Sequence, residues 1–326
     1  MILKRVVIDS IMIILVIIIW PIYVEVCAQE DSRPWPIANP GCQSGCGDVS
    51  IPYPFGMNRS ECYAGKWFEI ECRNSNRPYL KSIGLGVEVK SIDVNEGTVE
   101  IYNPIYRSNN CGARTTKHPA VNNINISLEG SPFVYSQTQN RFVAVGCNNI
   151  AFLQVKGSDV SGCVSICDND DDVGNTYLER ITCKGKSCCE NSLPLYLSEY
   201  TAAIKGLNEN QKGNHCSYAM IVQNVTEYSY RYECRYPYRY PYSYGYRYRY
   251  EDSYFPVDGK LKDIDLVPAV LEWEIVNATL KLPTSPYVKC YGTNITSSRY
   301  NYSGRRCSCI YESYVDANPY IASGCP

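Results

Sequence analysis

The 326-residue chain holds only two histidines, His118 and His215, and that scarcity removes most imidazole chemistry at the outset. Neither lies in a His-Glu-x-x-His helix or at a nucleophile elbow, so each reads as an ordinary surface or turn residue. No excess of charge of one sign exists either. Lys plus Arg is 31 against 33 Asp plus Glu, which excludes a nucleic-acid binder and an acidic tail for the chain as a whole. Gly185-Lys186-Ser187 ends like a phosphate-binding loop, but Arg180 stands where the first glycine is required, so the cradle is missing. Gly84-Leu-Gly86 is a pair of glycines with no third. Beyond the N-terminus no apolar run reaches the roughly 18–20 residues of a membrane span. Helical periodicity is scarce, Leu193–Ile204 being the best candidate. No reaction motif survives, and the chain is read as a non-enzyme without cofactor or metal.

Cysteine is what the chain has in quantity: 18 residues, a density that reads as a disulfide framework in an oxidising compartment. The N-terminus agrees. Lys4 and Arg5 precede the aliphatic run Ile11–Ile19, Pro21 and Glu25 interrupt its continuation, and Val26-Cys27-Ala28 offers a cleavage site after Ala28. Residues 1–28 are therefore expected to be a signal peptide, with an uncleaved anchor as the alternative. Removing them leaves the net charge at −2 and removes Cys27, so one of 17 cysteines stays odd, and Cys234 is the candidate. Six Asn-x-Ser/Thr acceptors, at Asn58, Asn125, Asn224, Asn277, Asn294 and Asn301, fit the same route.

Alternating apolar and polar residues mark strands. Val87–Val94 and Thr98–Tyr102 flank Asn95-Glu-Gly97 as a hairpin turn, and residues 122–128 and 141–155 repeat the pattern. The fold class expected is β-rich, as small disulfide-stapled domains. Residues 228–254 differ: Tyr alternates with Arg, Ser or Pro, and Pro237 and Pro241 argue against a central strand. This tract reads as a low-complexity insertion, extended or disordered, or as a stacking platform for sugar rings.

Five stretches carry a resemblance: Gly41-Cys-Gln-Ser-Gly-Cys-Gly-Asp-Val-Ser-Ile-Pro-Tyr-Pro-Phe-Gly56 with Trp67-Phe-Glu-Ile-Glu-Cys72; Phe142-Val-Ala-Val-Gly-Cys147; Cys183-x4-Cys188-Cys189 with Pro194-Leu-Tyr-Leu197; Val267–Ile275 around Trp273; and Cys307-Ser-Cys309 with Asn318-Pro-Tyr-Ile-Ala-Ser-Gly-Cys325. From Gly41 to the C-terminus the chain resembles the extracellular part of a plant wall-associated receptor-like kinase. The resemblance implies a galacturonan-binding-like domain over 41–155 and a second cysteine-rich region over 156–227 and 255–289, with 228–254 inserted. It also implies a partial growth-factor-like (EGF-like) module over 290–326. That module reads as incomplete, because no cysteine falls between Cys290 and Cys307. No Asp-Phe-Gly or His-Arg-Asp is present, so no kinase chemistry carries over.

The framework comprises Cys42, Cys46, Cys62, Cys72, Cys111, Cys147, Cys163, Cys167, Cys183, Cys188, Cys189, Cys216, Cys290, Cys307, Cys309 and Cys325. Its connectivity is open, except that Cys188 and Cys189, and Cys307 and Cys309, are each expected to bond outwards. The ligand implied by the resemblance is de-esterified pectin and its oligogalacturonides, a polyanion whose reader needs spaced cations and aromatic rings. Arg59, Lys66, Trp67, Arg73, Arg77, Tyr79 and Lys81 are the candidates, with Lys90, Arg107, Arg114 and Lys117 as further bases. Asp168, Asp170, Asp172 and Glu179 come near a calcium loop, but Val173 occupies its glycine position. Calcium-bridged pectate and a receptor partner in trans are the further partners considered. The expected setting is the apoplast and cell wall, as a sensing ectodomain or a decoy without a kinase. Two alternatives stand beside it: a structural wall protein cross-linked through its tyrosines, and a truncated gene product of a membrane receptor serine/threonine kinase.

Overall fold

Twenty strands, all but one of the sheets antiparallel ribbons of two to four members, account for the regular structure of the described residues. The computed structural model describes residues 36–326 apart from 85, 109–125, 168–182, 208–215, 229–250, 256–259, 277–284, 297–300, 311–316, 322–324 and 326. The signal segment with Cys27, both histidines, Cys111, Cys234, Arg114, Lys117, the Asp168–Glu179 loop and most of the Tyr/Arg tract lie outside the described residues.

In chain order the strands are β1 (Gly45–Cys46), β2 (Val49–Ser50), β3 (Ile70–Arg73), β4 (Arg77–Leu80), β5 (Val87–Asp93), β6 (Thr98–Pro104) and β7 (Tyr106–Arg107). There follow β8 (Phe133–Tyr135), β9 (Asn140–Val145), β10 (Asn149–Val155), β11 (Ser158–Ser165), β12 (Cys188–Asn191), β13 (Thr201–Gly206) and β14 (Tyr218–Gln223). The last are β15 (Val225–Tyr228), β16 (Glu251–Tyr254), β17 (Leu266–Trp273), β18 (Ile275–Val276), β19 (Val288–Thr296) and β20 (Asn301–Cys309). Two single 3-10 turns, Ser60–Cys62 and Lys66–Phe68, complete them.

The largest sheet has the order β3-β4-β5-β6-β17-β8, and a four-stranded sheet has the order β12-β9-β14-β7. In β5 and β6 the buried residues Val87, Val89, Val99 and Ile101 alternate with outward Glu88, Lys90, Glu100 and Tyr102, the pattern of a sheet wet on one face. Strands β9 and β14 are different. Phe142-Val-Ala-Val and Tyr218-Ala-Met-Ile-Val are buried throughout, because one core covers one face of their sheet and a second, with Phe255, Leu261 and Val267, covers the other. At the Asn95–Gly97 turn, Asp93 Oδ1 accepts from the N–H groups of Asn95 and Glu96 at 2.9 Å each. Gly97 has φ +63°, a conformation that favours glycine; a Cβ there would meet only the flexible Arg306 side chain.

Two expectations are corrected. Leu193–Ile204 is not a helix: it is irregular, turns at Leu195–Tyr196 and joins β13. Its backbone is committed to neighbours instead, with Tyr135 N–H donating to Leu197 O and Leu128 N–H to Ser198 O. A helix would consume those carbonyls internally. Buried Leu193, Leu197 and Tyr200 mimic helical spacing only because an irregular segment turns them all inward. Ile126–Leu128, expected as part of a strand, likewise forms none.

Seven disulfides join described cysteines: 42–62, 46–72, 147–167, 163–189, 183–188, 290–307 and 309–325. Cys216 is also disulfide-bonded. The adjacent cysteines 188 and 189 thus bond in different directions, as do 307 and 309. The segment read as an incomplete module forms a hairpin of β19 and β20, stapled by 290–307 and tied at its end by 309–325.

Distant motifs meet in one aromatic cluster. Phe55, Phe68, Phe133 and Trp273 lie with ring centroids 5.1–6.2 Å apart, and Tyr320 is 5.5 Å from Trp273. Asn318 Nδ2 then donates to the carbonyls of Ile37 and Tyr53 at 2.8 and 2.6 Å, fixing the C-terminal segment to the N-terminal loop. Gly56 belongs to this junction. A Cβ at Gly56 would fall 2.0 Å from Cys62 O, so the backbone approach itself demands glycine.

Candidate functional site

Strand alternation and register build an outward face on β3, β4 and β5. Glu71 stands opposite Tyr79, Tyr79 opposite Glu88, and Arg73 opposite Arg77. Residues two apart on a strand share a face, so Glu69, Glu71 and Arg73 line up beside Arg77, Tyr79 and Lys81. The inner side of the same strands buries Ile70, Pro78, Leu80, Val87 and Val89. The phase of that core pattern fixes the polar set outward, since a one-residue slip would invert it.

Each cation on this face has a carboxylate beside it. Arg73 donates from Nε and Nη2 to Glu71 Oε2 at 2.8 and 2.6 Å. Arg77 donates from Nε to Glu88 Oε1 at 2.8 Å and from Nη2 to Glu88 Oε2. Lys81 Nζ reaches Glu69 Oε1 at 2.6 Å, and Lys90 Nζ reaches Glu100 Oε2 at 3.2 Å. The Tyr79 ring centroid lies 4.2 Å from the Arg73 guanidinium and 5.7 Å from that of Arg77. Its hydroxyl approaches Glu88 Oε2 at 3.4 Å.

The layering matters more than the sum of charges. The side chains of Arg77 and Lys81 are 51% and 52% exposed, whereas those of Glu88 and Glu69 are 15% and 18% exposed. At these two pairs the acid lies recessed and the base protrudes, so a ligand arriving from solvent meets Arg77 and Lys81 first, whereas Arg73 and Glu71 are about equally exposed, at 40% and 43%. The hydrogen bond it donates to Glu88 holds the Arg77 guanidinium above its ordinary range, and that donated to Glu69 does the same for the Lys81 ammonium. Burial, then the Glu88 charge, pushes the Tyr79 phenol up.

The remaining candidates lie elsewhere. Lys66 and Trp67 occupy the 3-10 turn before β3, with Lys66 Nζ 4.6 Å from the Trp67 ring centroid. Ser82 Oγ donates to Lys66 O at 2.7 Å and ties that turn to the end of β4. Arg59 is engaged in the N-terminal loop, donating from Nη2 to Gly41 O at 2.6 Å and pairing with Glu61 at 3.3 Å. Arg107 is buried against Asp265 at 3.1 Å and donates to Ile264 O, a bond within the fold. Counting opposing charges along the chain missed the pairing of Glu69, Glu71 and Glu88 with their own cations. The signal was in the interleaved alternation Glu69-x-Glu71-x-Arg73 and Arg77-x-Tyr79-x-Lys81.

Of the glycosylation acceptors, Asn58 is exposed in the loop after Gly56, and Asn224 is half-buried at the end of β14. Asn294 and Asn301 lie in β19 and β20; Asn125 and Asn277 are outside the described residues. Among the described residues no helix is long and apolar enough to cross a membrane, and no group of three or more His, Cys, Asp or Glu is placed to hold a metal.

Residues 42–103, which include this face, match the family described as wall-associated receptor kinase galacturonan-binding. Similar Arabidopsis thaliana proteins include wall-associated receptor kinase-like 5, 30% identical over 55% of this chain and 25% of its own length. Wall-associated receptor kinase-like 3 is 26% identical over 87% of this chain and 38% of its own length, and wall-associated receptor kinase 1 is 25% identical over 87% and 34%. No solved structure matches. The chain spans well under half the length of these relatives. Residues 42–103 thus match the galacturonan-binding family of the wall-associated receptor kinases, and the chain is similar to those receptors over part of their length.

Proposed function

We propose that this chain is an extracellular, wall-associated reader of de-esterified pectin and its oligogalacturonides. The observation that carries the reading is the β3–β5 face, on which half-exposed Arg73, Arg77 and Lys81 line up within the family-matched segment. A galacturonan presents a carboxylate on every ring along an extended chain. A row of half-exposed cations on adjacent strands suits that spacing. Ligand carboxylates compete with Glu71, Glu88 and Glu69 for these cations, so the expected affinity per contact is modest and strongly dependent on salt.

The test is retention of the oxidised chain, expressed through a secretory pathway, on immobilised polygalacturonate at low and high salt. Methyl-esterified pectin serves as the control. Binding of the de-esterified polymer alone, weakened by salt, supports the reading. Binding that persists unchanged in an Arg73→Ala/Arg77→Ala/Lys81→Ala variant removes this face from it.

A further inference from the structure

Between Glu274 and Glu312 the sequence contains no acidic residue, while it contains Lys281, Lys289, Arg299, Arg305 and Arg306. The described part of this stretch is the β19–β20 hairpin. Its register pairs Lys289 with Ser308 and Tyr291 with Arg306, and Ile310 N–H donates to Tyr287 O, so Tyr287, Lys289 and Tyr291 share one face. Cys290 and Cys307 bridge on the other. Same-face residues are about 7 Å apart along a strand, which makes an aromatic–cation–aromatic stripe roughly 14 Å long. Tyr287 and Tyr291 are 43% and 52% exposed, and Ile310 beside them is 49% exposed. Lys289 Nζ lies 5.0 Å from the Tyr291 ring centroid.

The contrast with the β3–β5 face is electrostatic. There every cation has a carboxylate beside it. Here Lys289 and Arg305 have no carboxylate within ion-pair distance among the described residues, and Arg306 has Glu96 only at 4.0 Å. An anion arriving at Lys289 displaces no carboxylate partner among the described residues.

We propose that the Tyr287–Lys289–Tyr291 stripe is a second binding surface for an acidic polysaccharide, with the rings under the sugars and Lys289 on a carboxylate. The charge complementarity and the exposed, flat tyrosines favour a polyuronate over an apolar partner. This inference rests on the pectin reading for the identity of the ligand. The probe is polygalacturonate, applied to the full oxidised chain. Lys289→Glu and Tyr291→Ala are each expected to weaken retention by about fivefold to tenfold, within the range of one ion pair or one stacked ring, while Tyr291→Phe keeps the ring and the binding. If Lys289→Glu fails to accumulate, Lys289→Gln supplies the same readout at similar length. A wild-type chain that binds while both stripe variants bind equally well overturns the stripe and leaves the β3–β5 reading intact. A correctly oxidised wild-type chain that does not bind polygalacturonate overturns both.

Discussion

Recessed Glu88 and Glu69 beneath protruding Arg77 and Lys81 give individual residues opposite signs of effect on an anionic ligand. Glu88 neutralises Arg77 from below, so Glu88→Gln is expected to tighten polygalacturonate binding by a few-fold, on the scale of an exposed ion pair. Arg77→Ala should loosen it by a similar factor. Paired retention curves at low salt check this; weaker binding by Glu88→Gln would show that Glu88 orients Arg77 more than it competes for it. Buried tyrosines give a second prediction at this scale. Asn103 receives Tyr135 OH at 2.9 Å and donates to Tyr200 OH at 2.8 Å, inside the core. Burial pushes the Tyr106 and Tyr320 phenols up to about 12, and those of Tyr135 and Tyr200 higher. Below pH about 10 all four are neutral whether the chain is folded or not, and they add no pH dependence. Above it the unfolded chain ionises them and the fold does not, so stability is expected to fall as pH rises from 10 towards 12. Each phenol contributes up to about 1.4 kcal/mol per pH unit in that window. Denaturation midpoints across this range, read beside phenolate absorbance, check it; stability that stays level would mean these rings reach solvent in the fold.

At the scale of elements, β15 and β16 decide how the Tyr/Arg tract attaches. Val225 pairs with Tyr254 and Tyr228 with Glu251, so the tract leaves and re-enters at adjacent positions. Replacing residues 229–250 by Asn-Gly, which closes a two-residue hairpin, is therefore expected to leave the melting temperature of the oxidised chain within a few degrees. A large drop would show that the tract packs on the fold. Strand elements were legible in sequence wherever one face is wet, as in Val87–Val94 and Thr98–Tyr102, because burial on one side writes an alternating pattern. They were less legible where neighbours set the pattern. Leu193–Ile204 reads as a helix only until its carbonyls are seen to serve Tyr135 and Leu128. For the candidate face, Arg73, Arg77, Lys81 and Tyr79 were readable as types, but the pairing of Arg77 with Glu88 and of Lys81 with Glu69 depends on cross-strand register, which no single strand encodes.

For the whole molecule, the central fact is that β17 lies between β6 and β8 in the largest sheet. Leu266–Trp273 supplies the strand that covers β6, and Trp273 supplies a ring to the cluster of Phe55 and Phe68. A fragment ending at Val155 keeps the segment that matches the galacturonan-binding family, but lacks both contributions. It is expected to show no cooperative unfolding transition, whereas adding the rest of the chain restores one. A fragment 36–155 that melts cooperatively would refute this dependence. Chain synthesis gives the same feature a temporal meaning. β6 emerges some 170 residues before β17 is complete, and at about 5–20 residues per second the delay is on the order of ten to thirty seconds. Throughout that wait β6 offers an open edge, and Cys42, Cys46, Cys62 and Cys72 are already free to react. The order in which thiols are oxidised as the chain emerges, more than the final contacts, then governs how many molecules reach the correct pairing.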